Sequence, residues 1–187
     1  YFNPDKTPVN SSALVLLSPE QNQIFTNGTI VFAWNGGIPG YIVYTNSSEA
    51  IRTLSTNFTG NFSEGTNTWS VTGTNSAMII FSMTNKFIVD VTPPTLLPTG
   101  MSNNMTVPTN LTLTGAAGDG TSGISNIYYF FKITNDSSYF TNAAVYVSGS
   151  YTITALLEDS VVYDFNIAAV DNAGWTTITN FIIQTIS

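Results

Sequence analysis

The side chains that carry most protein chemistry are absent or scarce in this chain. It has no His and no Cys, which removes the usual general base near neutral pH, the thiolate nucleophile and most transition-metal ligands. Eleven carboxylates and four cations remain. Glu158 and Asp159 are sequence neighbours, while Asp164 and Asp171 bracket one strand pattern. Glycoside hydrolysis needs two carboxyl groups facing each other across about 5–10 Å. Adjacent strand residues point to opposite faces, so Glu158 and Asp159 do not make that pair. No catalytic residue is assigned, and the chain reads as a non-enzyme. Asp119, Asp136 and Asp171 stand in turn sequences and offer the oxygen atoms that Ca²⁺ takes, but no loop has the dense acidic spacing of an EF-hand. Turn capping by the Asp side chains is the preferred reading, and no metal or other cofactor is assigned.

Two covalent modifications fit the residues present. A Lys-to-Asn isopeptide needs an uncharged amine beside a protonated acid, because burial lowers the pKa of the first and raises that of the second. Lys86 and Lys132 lie inside strand patterns and Lys6 in the opening segment. The alternative is that all three project to solvent. N-linked glycosylation has eight N-x-S/T acceptors: Asn10, Asn27, Asn46, Asn57, Asn61, Asn104, Asn110 and Asn135. They are a mild excess over chance, and nearly all fall in turns or edge segments that a glycosylating enzyme can reach. N-linked glycans are therefore the covalent groups expected. Tyr128, Phe130, Tyr139 and Phe140 could form a platform for sugar rings, but aromatics at strand spacing are mostly core, and core is the expectation.

The elements that position these residues are strands. Ser and Thr together make up about a quarter of the chain, a composition of strands and turns. Apolar residues alternate with period two at Ile30, Phe32 and Trp34; at Phe87, Val89 and Val91; at Ile127, Tyr129, Phe131 and Ile133; and at Tyr163, Phe165, Ile167 and Ala169. Turn clusters at 35–37, 63–67, 118–123 and 171–174 punctuate them. The Pro pair in VDVTPPT (89–95) cannot continue a ladder and marks a hinge. The sequence predicts an extension over 1–12, one β-sandwich over 13–92 and a second over 93–187, each of about seven short strands.

Charge and hydropathy set the surroundings. With 8% charged residues and a formal net charge of −7, no basic patch exists to meet phosphate, so nucleic acid is excluded as a partner. The longest apolar runs, such as Ala13 to Leu17, fall far short of the roughly 20 residues of a membrane-spanning helix. A start at Tyr1 without Met fits a secreted chain whose leader has been removed. Few ionised groups also mean that little stability is linked to carboxylate ionisation, so tolerance of acid is expected.

The phrase YDFNIAAVDNAGW (163–175) resembles the late strand and turn of fibronectin type III and bacterial immunoglobulin-like modules, and Thr92–Pro93–Pro94 resembles the joints between them. In the first half SAMIIFSM (76–83) stands where that strand would be. The whole pattern joins an N-terminal extension, a Cys-free double sandwich, scattered sequons and minimal charge. It is similar to the subunit of the thread filaments of thermoacidophilic archaea, which are joined by donor-strand complementation. The resemblance implies an all-β fold of two tandem immunoglobulin-like β-sandwich domains whose N-terminal extension acts as donor strand. It further implies a glycosylated, extracellular surface filament in which the partners are copies of the chain itself, head to tail, serving adhesion or biofilm. The donor would include Val9, Ala13, Leu14, Val15, Leu16 and Leu17. The alternative is a monomeric adhesin or carbohydrate-binding pair of modules cut from a larger surface protein.

Overall fold

The computed structural model describes residues 14–37, 39–74 and 79–186, the side chains of 74 and 79–81 excepted. Backbone contacts divide the chain into Tyr1–Val91 and Thr92–Ser187, the first and second units. All the regular elements among the described residues are strands.

The first unit contains β1 (Val15–Ser18), β2 (Gln23–Phe25), β3 (Thr29–Asn35), β4 (Tyr41–Thr45), β5 (Ser48–Thr53), β6 (Asn57–Asn61), β7 (Gly65–Thr74), β8 (Ile79–Phe81) and β9 (Asn85–Val89). One sheet has the order β1-β3-β6; the other runs β2-β9-β7-β4-β5, with the short β8 also on β7. Alternation drives Ile30, Phe32 and Trp34 inward from β3, where they meet Trp69 and Val71 of β7 and Phe87 of β9. Phe32 is the hub, with the rings of Phe58, Phe62, Trp69 and Phe87 centred 5.1–5.6 Å away. Fully burying one such side chain stabilises the fold by about 1.5–3 kcal/mol. The Trp69 indole N–H donates to the carbonyl of Pro19 at 3.0 Å, so the largest core residue also satisfies its one polar atom.

The second unit contains β10 (Thr95–Thr99), β11 (Met105–Pro108), β12 (Asn110–Gly118), β13 (Ile124–Ile133), β14 (Phe140–Ala143), β15 (Val145–Val147), β16 (Ser150–Leu156), β17 (Val162–Asp171) and β18 (Thr176–Ile186). Its sheets run β10-β12-β16-β15 and β11-β18-β17-β13-β14. The core is the set that period two requires: Ile127, Tyr129 and Phe131 of β13 face Tyr163, Phe165 and Ile167 of β17, with Tyr151 and Ile153 of β16 opposite. Gly115 is needed where it stands, because a Cβ there would lie 2.4 Å from the Tyr151 ring on the paired strand. Burial pushes the Tyr151 phenol up to about 12, and its hydroxyl has no hydrogen-bond partner.

The strands on either side of each unit's opening turn enter different sheets. β1 pairs with β3, and β2 then runs parallel to β9; β10 pairs with β12, and β11 then runs parallel to β18. Pro19, which lacks an N–H for a ladder, sits at the first of these crossings. The first-unit counterpart of β17 is β7, which lies between β4 and β9. The expectation that SAMIIFSM holds that place is therefore corrected: among its described residues Ile79–Phe81 pairs as the short β8 on β7.

Candidate functional site

Three features of the second unit gather residues that could meet a ligand, beginning with the outer face of its larger sheet. Because Ile127, Tyr129 and Phe131 take the inward side of β13, Tyr128 and Phe130 must point the other way. They are half-buried and stack at 5.9 Å, with the Tyr139 ring edge-on to Phe130 at 5.2 Å. Tyr128, Phe130, Tyr139 and Phe140 are therefore not core, contrary to the sequence reading; Tyr139 and Phe140 are 44% and 64% exposed. Beside the rings lies a polar net. The Tyr139 hydroxyl donates to Asp164 Oδ2 at 2.8 Å, and the amides of Asn166 and Asn180 both donate to Asp164 Oδ1. Burial raises the Asp164 pKa, but the Tyr139, Asn166 and Asn180 hydrogen bonds and the Lys132 charge outweigh it and hold the carboxyl below its ordinary value. The same contact raises the Tyr139 phenol.

A second feature is a largely apolar groove of about 290 Å³ lined by Phe131, Ile133, Phe140, Leu156, Leu157 and Tyr163, with the Glu158 carboxylate as its one charged member. Leu156 at its lip is 82% exposed. The groove sits at one end of the unit: Leu156 pairs with Asn110 at the start of β12, whereas the chain enters at Thr95, which pairs with Gly118 at the far end of that strand. Eight residues of strand separate the two ends, roughly 26 Å.

The third feature is a pair of turns at the entry end. Asp119 Oδ1 accepts the backbone N–H groups of Thr121, Ser122 and Gly123 at 2.7–3.0 Å. Burial raises the Asp119 pKa, and those backbone hydrogen bonds more than offset it, so the carboxyl is held below its ordinary value. Asp171 Oδ1 accepts the N–H groups of Ala173 and Trp175, both at 2.9 Å. The Asn172 side chain fastens one turn to the other by donating to the carbonyls of Ser122 and Gly123. Ile124 opposite Asp171 in the β13–β17 ladder sets this meeting. Carboxylate oxygens of Asp119 and Asp171 lie within 4.8 Å of each other. The third loop carboxylate, Asp136, is exposed in the turn after β13.

Leu14 is 7% exposed in the core of its own unit, its side chain over Gly37 and Gly73, and Val15–Ser18 pairs with β3 of the same unit. The expectation that Leu14, Val15, Leu16 and Leu17 leave for a neighbour is thus corrected: without β1 the smaller sheet would keep only β3 and β6. Val9 and Ala13 lie outside the described residues, as do Asn10 and Lys6. The other seven sequon asparagines are all exposed. Asn46 is the most engaged of them, its amide donating to the buried Asn67 at 2.9 Å. Neither described strand lysine has the burial an isopeptide requires. Lys86 is exposed because Phe87 and Val89 take the inward positions of β9. Lys132 binds the carbonyl of Asp136 at 3.1 Å and lies over the Tyr139 ring. Glu158 and Asp159 are exposed beyond β16.

No protein-family model matches the chain, and no curated protein matches it. Among solved structures it is similar to a crystal structure of consecutive domains from titin, at 14% identity and a TM-score of 0.53, over 93% of this chain and 65% of that one. A two-domain fibronectin type III segment of chicken tenascin aligns at 14% identity and a TM-score of 0.39, over 93% of this chain and 98% of that one. The FN1–FN3 domains of chicken CNTN1 align at 13% and 0.40, over 94% of this chain and 66% of that one. The fold is two tandem immunoglobulin-like β-sandwiches. Among the described residues there is no helix long and apolar enough to cross a membrane.

Proposed function

We propose that the chain is an extracellular, N-glycosylated structural subunit that assembles head to tail, residues 1–13 of one copy seating in the apolar groove of the second unit of the next. The observation that carries this reading is the groove: an apolar opening with Phe140 and Leu156 exposed at its lip. It lies at the end of the second unit remote from the point where the chain enters that unit. The occupant is drawn from the chain itself, because residues 1–13 precede β1 and include Tyr1, Phe2 and Val9. At about 290 Å³ the groove is near the lower limit of ligand pockets, room for one or two large side chains. Insertion there buries apolar surface on both partners, and a heterologous contact of this kind extends into a filament where its rotation does not close a ring. N-linked sugar on the exposed acceptors keeps a nearly uncharged surface hydrated and covers strand edges that would otherwise pair.

Deleting residues 1–12, or replacing Leu156 with Asp, is expected to leave folded monomers by sedimentation and to abolish filaments by electron microscopy. Filaments that persist in both variants reject the reading.

A second reading is favoured by one observation, the outer row of Tyr128, Phe130 and Tyr139 beside Asp164, Asn166 and Asn180. Rings flanked by amide and carboxylate groups are the chemistry that holds a sugar, apolar on one face and rich in hydroxyls at its rim. On that reading the monomer is retained by a glycan column and Phe130→Ala is not.

A further inference from the structure

The paired turns at the entry end of the second unit have a charge problem that the unit's own residues do not solve. Asp171 is 1% exposed, and while its Oδ1 caps the turn, its Oδ2 has no hydrogen-bond partner. A second carboxylate, that of Asp119, stands within 4.8 Å. Its Oδ1 is likewise occupied by backbone N–H groups, which hold it ionised. A buried carboxylate oxygen without a partner, with a second carboxylate close by, is strongly unfavourable. The second unit has one basic side chain, Lys132. It lies at the other end of β13, opposite Asp164, whereas Asp171 is opposite Ile124. Eight residues of strand, roughly 26 Å, keep that charge away.

The geometry points to a divalent-cation site, filled by Ca²⁺, with Asp119 and Asp171 as its carboxylate ligands. Oxygen is the donor on both residues, as a hard cation requires. Two oxygens that share one Ca²⁺ at 2.3–2.6 Å can be no more than about 5 Å apart, which the observed separation meets. Each turn spends one oxygen on its own backbone, so the loops are shaped before the ion arrives and little ordering cost remains at binding. Turn capping and cation binding are thus not alternatives for Asp119 and Asp171: one carboxylate oxygen serves each. Ca²⁺ suits the site better than Mg²⁺, because a pair of irregular turns and added water make a flexible shell, where Mg²⁺ demands near-octahedral order. The competing way to relieve the charge is a proton shared by the two carboxyls, which predicts dependence on pH and none on metal.

The test uses the whole chain, stripped with chelator and titrated with CaCl₂. Ca²⁺ at millimolar concentration is expected to raise the unfolding midpoint of the second unit by about 5 °C. Tb³⁺ should luminesce when Trp175, whose backbone N–H binds Asp171, is excited. Asp119→Asn and Asp171→Asn keep a carbonyl oxygen for the turn N–H groups, so both should fold, yet require at least tenfold more Ca²⁺ for the same shift. Asp136→Asn should respond as the parent does. No shift by about 10 mM Ca²⁺, or equal shifts in both Asn variants and the parent, overturns the assignment. A midpoint that follows pH with no metal dependence replaces it with the shared proton.

Discussion

The two units are made from the same alternation but finish their smaller sheets differently. In the first, β6 is the last strand of three; in the second, β15 follows β16 to make four. Both of these are edge strands, and only the first unit's is polar. β6 reads NFTGN, with the sequon asparagines Asn57 and Asn61 exposed at its two ends, whereas β15 reads VYV, with Val145 and Val147 about two-thirds exposed. An edge strand is a template for unwanted pairing, and here a short polar strand with two sites for sugar takes the place of a covering strand. The second unit has exposed apolar surface both on its edge strand β15 and in the end groove. The contrast separates two jobs: the first unit spends the start of the chain, Leu14 and β1, on its own sheet, and the second offers the apolar opening.

That separation can be broken most forcefully at the cores. Trp69→Ala in the first unit and Phe165→Ala in the second remove residues that are 1% and 0% exposed, and each should cost about 3–5 kcal/mol. Calorimetry is expected to show each substitution lowering the transition of its own unit, and a joint shift would mean that the units do not unfold separately. Gly115→Ala should cost about 1–3 kcal/mol in the second unit, since the new methyl meets the Tyr151 ring. Tyr151→Phe sharpens the same point from the other side. Its buried hydroxyl has no partner, so removing it should leave stability unchanged or raise it by up to about 1 kcal/mol in a urea titration.

Acid should act through the second unit. Asp119 and Asp164 both titrate below their ordinary value of 3.8 when folded. A carboxyl whose folded pKa is depressed stabilises the fold above the unfolded value, and the contribution disappears as pH falls through the lower folded one. Melting followed by near-ultraviolet circular dichroism is expected to be flat in this respect from pH 7 to about 5, with the second unit's midpoint falling below about pH 4. The smallest effect is reserved for the first unit's exposed ion pair, Arg52 with Glu49 at 2.8 Å. Arg52→Ala should change stability by less than about 0.5 kcal/mol.

The inward rows of both sandwiches were legible in the sequence because period two is a direct consequence of the pleat: Ile30, Phe32 and Trp34 and also Tyr163, Phe165 and Ile167 lie where alternation puts them. The outer aromatic row was not legible. In SNIYYFFKIT both parities are aromatic: alternation places Ile127, Tyr129 and Phe131 inward, but aromatic type alone does not tell that Tyr128 and Phe130, on the other parity, stay outside the core. The role of Leu14 to Leu17 was hidden for a different reason. A ladder is made by backbone groups, and an apolar run reads the same whether it pairs within its own unit or with another. Asp119 and Asp171 were visible as turn residues, but their meeting depends on the β13–β17 register, a long-range fact that no local pattern contains.

Head-to-tail assembly depends on where the opening segment of one copy lies, and the chain lends itself to a clean measurement because it has no Cys. Phe2→Cys and Leu156→Cys introduced together, followed by mild oxidation and non-reducing electrophoresis, should give a ladder of covalent multimers that either single variant lacks. A single monomer band from the double variant, under conditions where the parent chain assembles, would contradict the seating of one copy's opening residues in the groove of the next.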